Sequence, residues 1–392
     1  MPRKWFLAAA AAATVGGLAA LPGPTPAQEA KKKVDVEAVV ERGLGYLKRT
    51  QAADGHWEAQ GGNYPTTMTA LAGMCFLMEG STLREGKYSD QVVKAVRWFT
   101  DGGRQTDRGC LGNLNNPTEA QRYMYGHGFG LLFLASVYGE EEDQEQRKKL
   151  EAILKKAVEF TKNAQTTKKH KKRNDKGEVV EVEIGGWGYV SAADSGGPGG
   201  FDEGSVTITQ MQGLRAARNA GIPVPKEVIE KAKDYLEACT TQKGGVIYSY
   251  AGSGGSAAVG QERPPITAAA AACGFSAGEY DGKLPRMWVK FCRDNIPFAR
   301  GRVSHDEYQS YYFAQVVYVL GDDRFGKMFP NEPKDKWLTW SHYKEAMFPY
   351  LADSQDKSSG AWMSGYIGPV FSTSVNLTIL QLEKGILPIY HR

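Results

Sequence analysis

Cysteine is scarce and scattered. The five residues (Cys75, Cys110, Cys239, Cys273, Cys292) are odd in number and nowhere spaced CxxC, which argues against a disulfide framework and against paired-thiolate metal modules. Histidine is equally sparse, at six residues in 392, and neither charge dominates, the net value being +4. Such a balance carries no global signature of a nucleic-acid binder. Long apolar runs are missing beyond the N-terminus. The glycine-rich stretch SYAGSGGSAAVGQERPP is not followed by Lys-Ser/Thr, so a phosphate-cradling nucleotide loop is not indicated.

The N-terminus reads as an export signal. Arg3 and Lys4 precede an apolar, alanine-rich stretch from Trp5 to Leu21, and Thr25-Pro26-Ala27 offers small residues for cleavage. Residues 1–27 are expected to be removed, leaving a periplasmic or extracellular protein with no transmembrane segment.

What the rest of the chain does have is a repeat. The segment RGLGYLKRTQAADGHW, residues 42 to 57, joins an amphipathic helix to a glycine turn and an aromatic stop, and FPYLADSQDKSSGAW repeats it near the C-terminus. Gln51, Gly55 and Trp57 thereby correspond to Gln355, Gly360 and Trp362. Weaker copies start near residues 94, 156, 231 and 286, the last without the turn signature, giving six units about 50 to 75 residues apart. After each turn comes a Ser/Thr/Tyr entry and a small, apolar helix that closes on glycine, such as TTMTALAGMCFLMEG from Thr66 and STSVNLTILQLEKG from Ser372. First-half helices carry charge on one face and most second-half helices carry little, so the first set is expected outside and the second inside. The chain provides no atypical capping repeat, which favours closure into a ring over an open solenoid. Loop insertions are expected near 166–184, with an alternating Val/Glu hairpin after KKHKKR, and near 251–265.

Arg42-Gly43, Tyr46-Leu47, Gln51, Gly55 and Trp57 resemble the QW motif of the squalene/hopene and oxidosqualene cyclases, a superfamily that includes protein prenyltransferase beta subunits. MYGHGFG, YQSYYFAQVVYVLG and LPIYHR look like the exported bacterial prenyltransferase/squalene oxidase repeat proteins. The resemblance implies an all-α (α/α)6 toroid with parallel inner helices, as one domain over residues 28–392.

The same resemblance sets expectations for chemistry. Cyclases protonate polyenes with a DxDD cluster before an inner helix. The corresponding stretch here is FDEGSVTITQ, where Glu203 meets the first acid, Ser205 the proton donor and Val206 the last acid, so acid-initiated cyclisation is not expected. The zinc set of the prenyltransferases has no counterpart either, and neither metal nor cofactor is expected. Weaker acid/base candidates remain in Asp202, Glu203, His127 and His305, the histidines being flanked by glycines or acids.

Parallel inner helices bring six helix N-termini to one rim. Thr66, Tyr125, Ser205, Thr207, Tyr308, Tyr311 and Ser372 are expected there, as a polar, aromatic mouth for an apolar, amphiphilic or extended ligand bound in a central cavity. The alternatives are an enzyme of another class on this scaffold, a transferase or a polysaccharide lyase, and a purely structural interaction module. No nucleic-acid partner is expected.

Overall fold

The computed structural model describes residues 34–101, 103–141, 143–174, 176–298 and 306–391. The expected signal segment 1–27 and the candidate His305 lie outside these residues. Among the described residues the chain forms fourteen α-helices and one two-stranded hairpin. In chain order they are α1 (Val36–Thr50) and α2 (Pro65–Glu79); α3 (Ser89–Asp101), the single-turn α4 (Pro117–Ala120) and α5 (Tyr123–Val137); α6 (Gln144–Ala164), strands β1 (Lys168–Arg173) and β2 (Val179–Ile184), and α7 (Gly204–Asn219); α8 (Lys226–Ala238) and α9 (Pro264–Ser276); α10 (Lys283–Asn295) and α11 (Asp306–Leu320); and the short α12 (Arg324–Met328), α13 (Trp340–Ser354) and α14 (Pro369–Gln381).

Sequence composition decides which helix of each pair lies inside. On α1 only a stripe is buried, namely Val39, Val40, Gly43, Leu44 and Leu47, as expected of a helix with one face to water. On α2 every residue from Pro65 to Met78 is buried, and α5, α7, α9 and α14 are buried nearly as completely. Proline at the first turn starts α2, α9 and α14, and Gly80, at φ 113°, stops α2.

The inner helices pack in sequence: α2 on α5, α5 on α7, α7 on α9, α9 on α11, α11 on α14, and α14 back on α2. Residues at their N-terminal ends touch one another. A Cβ on Gly126 would lie 3.0 Å from Thr66, and one on Gly204 would lie 2.7 Å from Ile266. At the other end, Gln381 Nε2 donates to the Cys75 carbonyl at 3.2 Å.

The repeat motif is the joint between neighbouring pairs. Gln51 Nε2 donates to Gly55 O in its own turn and to Gln91 O on α3. Gln105 does the same with Gly109 O and Ile153 O on α6, and Gln165 with Gly185 O and Val228 O on α8. Gln355 donates to Gly360 O and, at 3.0 Å, to Val39 O on α1, so the last joint grips the first helix. The turn glycines allow this approach: a Cβ on Gly55 would sit 2.3 Å from Lys94 O, and one on Gly360 2.3 Å from Arg42 O, both residues having positive φ. Trp57, Trp187 and Trp362 cover the joints, each indole N–H donating to a carbonyl at the end of the preceding outer helix, Leu47, Thr161 and Leu351 respectively.

Aromatic side chains occupy the middle of the inner ring. Phe129 of α5 meets Tyr311 of α11 edge-on with ring centroids 6.5 Å apart, although these two helices stand opposite each other in the packing order. Tyr311 also packs on Tyr312 at 4.8 Å, and its hydroxyl lies 2.7 Å from that of Tyr390, in a turn that packs on α7. A ligand-sized hollow at this level, as the central-cavity expectation requires, meets a stacked core of buried rings. No helix among the described residues is long and apolar enough to cross a membrane.

Candidate functional site at the mouth of the inner helices

Glu203 and Asp202 are neighbours with opposite fates. Glu203 caps α7 in extended backbone, φ −150° and ψ 134°, and successive side chains on extended backbone point to opposite sides. Asp202 therefore turns outward. Its oxygens accept from Lys168 Nζ (2.6 Å), Tyr235 Oη (2.9 Å), Ser249 Oγ (3.1 Å) and the amides of Tyr250 and Ala251, with no exposed surface. Fully engaged in this way, Asp202 ties the β1–β2 hairpin and the loop after Tyr248 to the end of α7.

Glu203 turns inward. Its Oε2 accepts from Ser205 Oγ at 2.6 Å, from the Val206 amide at 2.8 Å and from Tyr125 Oη at 3.3 Å. All the described hydrogen bonds of this carboxylate reach Oε2. Burial pushes the acid above its ordinary range, against the pull of these donors. Tyr125 and Ser205 are themselves 2.6 Å apart. Tyr308 comes close from α11: its hydroxyl is buried without a partner at ordinary hydrogen-bond distance among the described residues, while its ring is half-buried and packs on Tyr312 at 4.9 Å. The structure thus brings together Glu203, Ser205, Tyr125 and Tyr308.

The remaining sequence candidates are placed elsewhere or engaged otherwise. His127 is wholly buried; its Nδ1 accepts from the Leu111 amide at 3.0 Å and its Nε2–H donates to Thr161 Oγ1 at 2.8 Å, since that hydroxyl already donates to Ala157 O. Burial pulls this imidazole down to about 3, so it stays neutral. Threonines occupy the matching position in four other units: Thr69, Thr207, Thr267 and Thr373 receive the amides of Trp57, Trp187, Val246 and Trp362. Thr207 is thus an inter-segment fastener. Thr66 donates both its amide and its hydroxyl to Glu119, and Ser372 is buried, its hydroxyl 3.4 Å from Glu307. Tyr311 lies one turn below the mouth, on Tyr390.

Several residues of the mouth carried no signal in the sequence reading. Glu119 is buried where it caps α2, receives the Asn113 amide at 2.6 Å, and is pushed up by burial. Tyr64, just before Pro65, holds a left-handed backbone at φ 50° and ψ 48°, the one non-glycine residue with positive φ among the described residues; such strain concentrates at ligand sites. Tyr189 lies 6.0 Å from Tyr125 and 5.9 Å from Phe201, and its hydroxyl bonds that of Tyr248. Phe201 and Tyr248 are exposed. The only available hint was Tyr189 following the Gly186-Trp187-Gly188 turn.

No group of three metal-ligating side chains comes together among the described residues, and all five cysteines are free and buried. A half-exposed aromatic collar over a buried, protonatable carboxyl can hold a hydroxyl-rich ring by stacking and hydrogen bonding, and can exchange a proton with it.

No family model matches the chain, and no curated protein matches it either. Solved structures do share its fold. The type II terpene cyclase MstE of Scytonema is similar over 90% of this chain and 98% of its own, at 12% identity and a TM-score of 0.52. The α-1,6-mannanase GH76A of Salegentibacter, in an inactive variant bound to α-1,6-mannotriose, covers 90% of this chain and 100% of its own, at 12% identity and a TM-score of 0.56. A variant of MstE in complex with geranylgeranyl dihydroxybenzoate covers 90% and 98%, at 12% identity and a TM-score of 0.50. The chain therefore has the terpenoid cyclase-like (α/α)6 toroid fold, a scaffold that carries unrelated chemistries.

Proposed function

We propose that this is an exported enzyme on a closed (α/α)6 toroid, which holds an extended, hydroxyl-rich ligand of the oligosaccharide class across the mouth and acts on it by proton transfer through Glu203. The observation that carries the reading is Glu203 itself: an inward, buried carboxyl whose described donors all meet Oε2, leaving Oε1 to exchange a proton with a ligand. Tyr125 and Ser205 hold the acid in place, and Tyr189, Phe201 and Tyr248 offer ring faces for stacking. The ligand belongs at the mouth because the axis below is filled by Phe129, Tyr311 and Tyr390. Closure is supported by α14 packing on α2 and by the bond from Gln355 to α1. Acid-initiated polyene cyclisation falls outside the proposal, since a single carboxyl stands where that chemistry uses a cluster.

Incubating the full chain with a panel of neutral and acidic oligosaccharides, followed by mass spectrometry of the products, tests the reading. Turnover by the wild type and a loss of about 10²- to 10⁴-fold in Glu203→Gln are expected. An unchanged panel, or an undiminished Glu203→Gln enzyme, overturns it. A second reading, an isoprenoid-like ligand held without cyclisation, draws on the apolar lip formed by Met363 and Tyr366, 65% and 72% exposed. Organic extraction of the purified protein should then release one recurring lipid; an extract without one removes that reading.

A further inference from the structure

One cation of the mouth has no internal use. Arg122 precedes α5, is exposed, and its guanidinium lies over the ring of Tyr189 at 4.7 Å from the centroid. Several arginines are engaged through their N–H groups: Arg108 grips Asp194 with two hydrogen bonds, Arg293 bonds Asp294 and lies 2.7 Å from Glu332, and Arg42, Arg49 and Arg84 donate to side-chain or backbone oxygens, while Arg104, Arg147 and Arg324 lie over the rings of Trp98, Tyr138 and Tyr280. Arg122 has no ion pair and no guanidinium hydrogen bond among the described residues. Its charge nevertheless bears on the site, reaching the hydroxyls of Tyr248 and Tyr366.

A guanidinium stacked on an aromatic face is fixed in plane while its fork of donors stays open, the arrangement that meets a planar carboxylate with two parallel hydrogen bonds. The neighbouring acids do not claim it. The carboxyl of Glu203 is engaged with Ser205, Val206 and Tyr125, and that of Glu307 lies against Ser372. Resting on the reading of the mouth as an oligosaccharide site, we infer that the ligand is an acidic oligosaccharide and that Arg122 pairs with a uronate carboxylate while Tyr189 and its neighbours stack on the sugar rings. Specificity for acid over neutral sugar then resides in one exposed side chain outside the proton-transfer group.

Isothermal titration of the full chain with oligogalacturonate, oligoglucuronate and oligomannuronate, each beside its neutral methyl ester, tests the assignment. For at least one sugar the acid should bind about tenfold or more tightly than its ester, the margin of one well-placed charged pair. Arg122→Gln should bring the acid down to the level of the ester and leave the ester unchanged. Arg122→Lys, which keeps the charge and loses the fork, should fall between, and the preference should shrink as salt rises. Equal binding of acid and ester, equal weakening of both by Arg122→Gln, or no binding of any acid overturns the inference. The turnover screen with neutral and acidic oligosaccharides, and its loss in Glu203→Gln, decides the underlying reading separately.

Discussion

At Asp202 and Glu203 the same chemistry, one bond apart in sequence, divides into a fastener and a reactive group. Because the folded state holds Glu203 above its ordinary 4.5 through burial, the stability due to its neutral form is complete below the unfolded value and drains away as pH rises through the native one. Glu203→Gln carries no titrating proton, so the melting temperature of the wild type minus that of the variant should fall as pH is raised from 4.5 towards neutrality. Glu119, shifted in the same direction, is present in both proteins and cancels; a flat difference would remove the claim of a buried neutral acid. Asp202→Asn should behave otherwise. It takes the counter-charge from Lys168, whose side chain is only 16% exposed and keeps Gly200 O as an acceptor, and breaking a buried pair costs about 3–5 kcal/mol. Differential scanning fluorimetry should register that loss at neutral pH, with faster proteolysis in the 168–184 hairpin. Sequence alone named both acids, and Ser205 and Tyr125 beside them, because polar residues at the start of an apolar helix stand out. It did not tell which acid faces inward, since that depends on extended backbone at a single capping residue.

The repeating element is better described as a joint than as a hairpin, because its glutamine and glycine act on the next pair. The spacing of Gln51, Gly55 and Trp57 was legible, and so was the alternation of striped and wholly apolar helices. The second acceptor of each glutamine was not, since Gln91 O, Ile153 O and Val228 O are backbone atoms dozens of residues away. His127 was misleading for a related reason: lying between glycines it resembled a ligand-facing imidazole, whereas in its unit it replaces the threonine that receives the turn amide. The joint makes a sharp demand on its glycine. Gly360→Ala would place a methyl 2.3 Å from the Arg42 carbonyl at φ 80°, combining a backbone clash with a left-handed conformation, and should cost well over about 1 kcal/mol. Gly139→Ala, also at positive φ but with nothing within 4 Å, isolates the conformational part. Urea midpoints of the two variants should therefore separate, with Gly360→Ala the lower; coincident midpoints would mean that the close approach at the joint is absent.

On the scale of the whole molecule, the packing order of the inner helices returns to its start, and a closed ring has no terminal unit. Each interface is then equivalent in kind, whereas in an open stack the first and last units are each held by one neighbour and fray first. Gln355 and Gln165 make this contrast measurable, because both donate twice, Gln165 inside the chain and Gln355 between the end of the sequence and α1. In a ring, Gln355→Ala and Gln165→Ala should each cost about 1–3 kcal/mol, the range for backbone acceptors left unpaired in a buried site. Both should lower the urea midpoint of one cooperative transition seen equally by circular dichroism and tryptophan fluorescence. In an open superhelix Gln355→Ala would instead be mild, or would produce an early partial transition as the first and last pairs separate. The apolar inner helices made the (α/α)6 fold legible in the sequence; what lies between them was not, because the contact of Phe129 with Tyr311 joins helices that only the third dimension sets face to face. The proposed closure matters to function through this geometry: the packed inner helices bring Glu203, Tyr125 and Tyr308 from three separate helices, α7, α5 and α11, onto one mouth, and loss of cooperativity in Gln355→Ala would break that site together with the ring.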